Sequence, residues 1–215
     1  MKKIVLTFLG ALALSTSAFS QANSQGSIVI DPYYGYPNFG KSLVNSITDD
    51  ASNTGTKATG VGPCGLRAEY LIGDKIGVGF DFIYNTNRVK YTDVSTDSTW
   101  DGTNSVWQVT TTTNSAEQLM QRIRFQARFN YHFDISNPNL DAYFGVGVGT
   151  NNRFRKYWLN DVLQPTDALT NITLLPVSVR VCTGIRYYFT PNIGLNAELG
   201  LGGPMISGGI SIKVK

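Results

Sequence analysis

The side chains able to do chemistry in this chain recur at every second position. Arg122, Arg124 and Arg128 share one parity of a single run, and Gln126, Asn130 and His132 fill the same parity. Arg67 and Glu69 repeat the spacing, as do Arg180 and Arg186. Ion pairing and anion binding are the chemistry such residues support. The acids available to them are Asp31, Glu69, Asp81 and Glu198, and Lys213 adds a further cation. Catalysis and metal binding have a thinner basis. His132 is the only histidine, which argues against a histidine-rich metal site. Gly145-Val146-Gly147-Val148-Gly149 lacks the Gly-x-Gly-x-x-Gly order of a phosphate loop. No catalytic residue, metal ligand or cofactor is expected.

A β-strand is the element that puts alternate residues on one side. Between the polar residues of the run stand Ile123, Phe125, Ala127, Phe129, Tyr131 and Phe133. The stretch from Arg122 to Phe133 would reach about 40 Å at roughly 3.3 Å per residue, and about 30 Å after tilting, the thickness of a bilayer core. One face is greasy and the other carries arginines. That is the pattern of a strand with lipid outside and a polar lumen inside.

Eight such segments can be counted. They are Ser27 to Tyr36, about Val61 to Tyr70, Ile76 to about Asn85, about Leu119 to Phe133, Leu140 to Thr150, and Leu175 to Phe189. A seventh carries Leu195 to Leu201, and an eighth Ile206 to Val214. Short turns join some of them, around Ile72 to Lys75, Asp134 to Asn139 and Thr190 to Asn192. Pro37 to Gly60, Thr86 to Glu117 and Asn151 to Thr173 read instead as long polar loops. Short turns at one end and long loops at the other are expected of a barrel in an outer membrane, with both termini at the short-turn end.

The N-terminus reads as an export signal over residues 1–20, with Lys2 and Lys3, an apolar core from Ile4 to Leu14, and Ala18-Phe19-Ser20 before the cleavage point at Gln21. Residues 21–215 then form the barrel. Charged residues make up 15% of the chain, against roughly 25% in soluble domains. Removing Lys2 and Lys3 brings the formal charge from +3 to +1, which leaves no basic excess for nucleic acid.

Glycines fall on the polar face, at Gly77, Gly79, Gly145, Gly147, Gly149, Gly184, Gly194 and Gly200. A narrow lumen needs small residues opposite long charged ones, whereas a watery outer surface does not. Simple hairpin registers would set Gly145 against Arg128, Gly149 against Arg124, Gly79 against Arg67 and Gly77 against Glu69. They would also place Asp81 opposite Gly65 and diagonal to Arg67, so Asp81 and Arg67 are expected to pair. Tyr70, Tyr131, Phe133, Tyr187 and Phe189 lie on the apolar face beside the short turns, and Tyr34, Tyr36 and Tyr84 lie at the far ends. Cys64 on the lipid face and Cys182 on the lumen face fall on opposite walls, so two free thiols are expected.

With these features the chain resembles the small OmpA/OmpX-type outer-membrane β-barrel family, over about Gly26 to Lys215. The resemblance implies an all-β, eight-stranded antiparallel transmembrane barrel with up-and-down topology, preceded by a signal peptide. It implies a monomer in a Gram-negative outer membrane. Its partners would be outer-membrane lipid, lipopolysaccharide and the barrel assembly machinery. The charges Asp31, Arg67, Glu69, Asp81, Arg122, Arg124, Arg128, Arg180, Arg186, Glu198 and Lys213 read as a lumen network. Trp100, Trp107, Arg153, Arg155, Lys156 and Trp158 read as loop residues for a surface partner. A structural and surface-interaction role is the leading expectation. A narrow channel, or an accessory part of a transport or secretion system, comes second, and a lipid-modifying enzyme third.

Overall fold

Alternation dictates the barrel wall seen in the computed structural model, which describes residues 22, 24–50, 56–101, 106–165 and 176–214. The strands are β1 (Ile28–Tyr36), β2 (Lys57–Thr59), β3 (Cys64–Gly73), β4 (Ile76–Asp101), β5 (Val106–Phe133), β6 (Leu140–Thr150), β7 (Asn152–Leu159), β8 (Val162–Leu163), β9 (Val177–Tyr188), β10 (Ile193–Leu201) and β11 (Ile206–Val214). One helix, α1 (Phe39–Asp50), precedes β2. Antiparallel pairing runs β1-β3-β4-β5-β6-β9-β10-β11 and returns to β1, which closes an eight-stranded barrel. Closure leaves no free edge in the wall. The expected signal peptide lies outside the described residues.

The barrel is inside-out relative to a soluble core. Phe80, Phe125, Phe129, Val146, Val148, Leu195, Leu199 and Ile210 point outward and are exposed on the isolated chain. Asp31, Arg67, Asp81, Arg180, Arg186 and Glu198 are buried within. In water that arrangement would expose a continuous apolar belt, so the wall is built to face lipid. Among the described residues no helix is long and apolar enough to cross a membrane.

Register departs from the simple hairpins. The β3–β4 turn falls at Asp74–Lys75, and a bulge lies between Leu71 and Gly73. Arg67 therefore faces Asp81 directly, and Gly79 faces Glu69. On the next walls Gly145 faces Asn130, Gly147 faces Arg128 and Gly149 faces Gln126. Each pair sits two residues from the expected one. A shift of two keeps every side chain on its face. Arg128 now lies between glycines on both neighbouring strands, Gly79 and Gly147. A Cβ at Gly77 would collide with the Glu69 carboxylate.

The larger correction concerns Thr86 to Glu117, expected as a loop. β4 and β5 stay paired without a break from Ile76↔Tyr131 to Asp101↔Val106. Backbone hydrogen bonds carry the ribbon past the barrel, and its Thr, Val and Trp residues favour extended chain. Sixteen residues of β4 beyond Asn85 correspond to about 50 Å. Alternation fades there because both faces meet water. β7 adds a third strand along Ala116–Ile123 of β5. It returns through β8 by an Asn160–Asp161 turn with φ of 48° and 62°, the conformation of a type I′ hairpin. The stretch from Asn151, also expected as a loop, is thus partly strand. In the first long connection, Asn38 caps α1 by accepting from the Lys41 amide at 3.5 Å, and β2 pairs with Arg88–Lys90 of β4.

Candidate functional site

Strand β5 sets the lumen axis. From its short-turn end upward it presents His132, Asn130, Arg128, Gln126, Arg124 and Arg122. The neighbouring walls meet these side chains in layers.

The lowest layer centres on Arg186 of β9. Its guanidinium donates to Asp31 at 2.8 Å, to Glu69 at 2.6 Å and to Asp141 at 2.9 Å. His132 bridges two of the same acids, with Nδ1 2.7 Å from Asp141 and Nε2 2.9 Å from Glu69. Ser211 donates to Asp31 and Asn130 to Glu69. The layer above centres on Glu198 of β10. Arg128 reaches it at 2.8 Å, Arg67 at 3.4 Å, and Arg180 is also in direct contact. Tyr143 donates to Glu198 at 2.8 Å, and Tyr33 donates to Asp81 at 2.7 Å. Arg128 and Arg67 lie 3.3 and 3.6 Å from Asp81. The Arg67 guanidinium stacks 3.7 Å from the Tyr33 ring centroid. Buried charge is tolerable only when so paired.

Asp141 was absent from the sequence-derived set, and His132 was set apart from it. Asp141 alternates with Leu140 and Ala142, so the parity that found the other acids also marks it. Four arginines (Arg67, Arg128, Arg180, Arg186) and His132 thereby meet five carboxylates (Asp31, Glu69, Asp81, Asp141, Glu198). Cys182 is buried beside Arg128, which donates to its sulfur at 3.1 Å. Cys64 is half-buried on β3, and both thiols are free.

Other expected members stand apart from these two knots. Lys213 lies at the short-turn end, donating to the Ala22 carbonyl at 3.2 Å and covering the Tyr188 ring. Arg124 donates to the Gly202 carbonyl at 2.8 Å. Arg122 donates to Asn151 Oδ1 at 2.7 Å. Among the described residues, neither Arg122 nor Arg124 meets a carboxylate.

The expected surface cluster is divided. On β7, Arg153 and Arg155 share the lumen-side face with Arg122 and Met120 of β5, whereas Lys156 and Trp158 share the outer face with Leu119 and Glu117. On that outer face Glu117 pairs with Arg88 at 3.2 Å and Lys90 at 2.8 Å. Trp100 and Trp107 face one another near the ribbon tip, edge to face at 5.4 Å, and both are exposed. Tyr91 and Tyr157 bring their hydroxyls within 3.5 Å across the ribbon's inner face.

Outside the membrane span, the Asp134 carboxylate accepts a hydrogen bond from Lys75 at 2.5 Å and holds that ammonium above its ordinary pKa.

No curated protein matches this chain. Solved structures similar to it include a designed transmembrane β-barrel, at 14% identity and a TM-score of 0.45 over 89% of this chain and 98% of that one. Another is outer membrane protein OprG from Pseudomonas aeruginosa, at 15% identity and a TM-score of 0.41 over 92% and 99%. The N-terminal barrel domain of Pseudomonas aeruginosa OprF matches at 15% identity and a TM-score of 0.37 over 88% and 98%. The family described as outer membrane protein beta-barrel domain matches residues 6–203. By that match, the chain belongs to the outer membrane protein β-barrel family and is a protein of the bacterial outer membrane.

Proposed function

We propose that the protein is a monomeric, non-enzymatic structural barrel that displays its long ribbon to a partner at the cell surface. The observation that carries this reading is a lumen closed by two interlocked ionic knots beneath a ribbon that rises about 50 Å beyond the wall. Eight strands leave an interior just wide enough for side chains, and here those side chains are large, charged and interlocked. His132 engages both ring nitrogens with carboxylates and is buried, so it offers no free lone pair to a substrate. Trp100 and Trp107 at the tip are the exposed aromatics best suited to anchor a partner. Residues 1–20 as a cleaved signal, 21–215 as the barrel unit, lipopolysaccharide against the wall and the barrel assembly machinery at insertion complete the proposal.

Three measurements test it. Purified protein in planar bilayers is expected to show no stable large conductance. Reproducible single-channel steps that vanish in Arg124→Ala would favour the narrow channel instead. A pull-down from the cell surface should retain a partner with the native chain and lose it with Trp100→Ser/Trp107→Ser. External protease on intact cells should cut within Thr86 to Glu117 or Asn151 to Thr173 and spare Ile72 to Lys75. Cleavage at that turn would invert the topology.

A further inference from the structure

At the outer end of the lumen three arginines stand together, with no acid paired to them among the described residues. Arg122 on β5 and Arg153 on β7 are direct cross-strand partners, so like charges face each other across one ladder step. Arg124 follows Arg122 on the same face, one strand repeat deeper. All three converge on one region: Asn151 Oδ1 accepts from Arg122 Nε at 2.7 Å and from Arg124 Nε at 3.4 Å, while Arg122 is paired in register with Arg153. Among the described residues none of the three lies within 4.0 Å of a carboxylate. The Arg153 Nε is shielded from solvent and has no hydrogen-bond partner. The Nη atoms of Arg122 and Arg153 make no hydrogen bond to a described residue. Such an arrangement costs free energy unless something negative completes it.

We propose that Arg122, Arg124 and Arg153 form an oxyanion site that takes a phosphate group at the extracellular mouth. Guanidinium forks match the oxygen spacing of phosphate and offer two parallel donors each. Arg122 and Arg153 are half-buried and reachable from outside, while Arg124 is buried just beneath them. Below the site the two ionic knots close the lumen, so the anion binds at a dead end rather than passing through. The guanidiniums face the lumen and not the lipid, which favours a phosphate arriving from the medium over one on a membrane lipid.

The test uses the full mature chain in non-ionic detergent, with ionic strength fixed by sodium chloride. Equilibrium dialysis against labelled inorganic phosphate is expected to show saturable binding near one phosphate per chain. Arg153→Gln and Arg122→Gln should each weaken it by about tenfold or more. Arg88→Gln/Lys90→Gln should bind as the native chain does, because those cations lie on the opposite face and are paired with Glu117. A second arm dopes the micelles with a phosphate-bearing glycolipid, with and without excess inorganic phosphate. Binding of the free ion assigns a soluble source. Binding confined to doped micelles, and lost in Arg153→Gln, assigns a lipid source. The proposal is overturned if neither arm shows saturable binding, or if the Arg88/Lys90 variant loses as much as Arg153→Gln. Native-like heat-induced migration on gels confirms that each variant is folded, so a loss of binding cannot be read as unfolding.

Discussion

Arg128 and Arg122 sit on one face of one strand, six residues apart, in opposite electrostatic surroundings. At the level of Arg128 the lumen holds Asp81 from β4 and Glu198 from β10. At the level of Arg122 the paired residues are Asn85 of β4 and Arg153 of β7. The same residue type, with the same orientation, is a structural bolt in one place and, among the described residues, a cation without a carboxylate in the other. Face is decided by parity along one strand, whereas partner is decided by register between strands. The middle of the lumen is therefore expected to behave as a packed ionic core, and the mouth as a surface awaiting an anion.

Removing an acid from the middle is the sharpest way to break the comparison. Glu198→Ala would leave Arg67, Arg128 and Arg180 sharing Asp81 alone and orphan the Tyr143 hydroxyl. Taking one partner from a buried ion pair costs about 3–5 kcal/mol. The temperature at which the folded band converts on gels should fall markedly. If Glu198→Ala migrates and melts like the native chain, the knot is not holding the barrel.

A smaller loss is expected from filling the space the charges use. Gly77 lies against the Glu69 carboxylate, which receives Arg186, Asn130 and His132. Gly77→Val would push that carboxylate aside, and overpacking costs about 1–3 kcal/mol. Valine suits an extended strand, so a loss of stability would report the collision and not backbone propensity. Unchanged thermal conversion in Gly77→Val would mean that the lower layer has room the geometry does not indicate.

Much of this was legible before any coordinates. The alternation from Arg122 to Phe133 gives the strand, its lipid face and its lumen face, and the same parity repeats around the ring. Asp141 was legible too, by its place between Leu140 and Ala142. The ion pair of Asp81 with Arg67 was expected from a diagonal contact, but their direct opposition was not, because the turn at Asp74–Lys75 and the bulge beside Gly73 together shift the register by two and keep the face. The ribbon beyond Asn85 was hidden for a different reason. Alternation records a boundary between greasy and wet, and a ribbon in water has none, so Thr110 to Thr113 resemble loop. Its signals were chemical and local: β-favouring Thr and Val, the facing Trp100 and Trp107, and the Asn160–Asp161 dipeptide of a tight hairpin. The division of Arg153 from Lys156 followed only once that stretch was known to be a strand.

The smallest expected effect has the opposite sign, and it separates mouth from middle most cleanly. Arg153→Gln removes a cation whose Nε has no partner and which faces Arg122. Nothing among the described residues is orphaned by the change. Relief of a directly opposed like charge is worth about 0.2–1 kcal/mol, so in phosphate-free buffer the variant should be slightly more stable than the native chain. The gain should shrink as sodium chloride rises, since salt screens the half-buried pair. Added phosphate should then stabilise the native chain and leave the variant unmoved at matched ionic strength, because a ligand raises stability only in the state that binds it. The two curves should converge or cross. A loss of stability in Arg153→Gln without phosphate would place this arginine with Arg128 as a structural bolt and erase the contrast between the two regions.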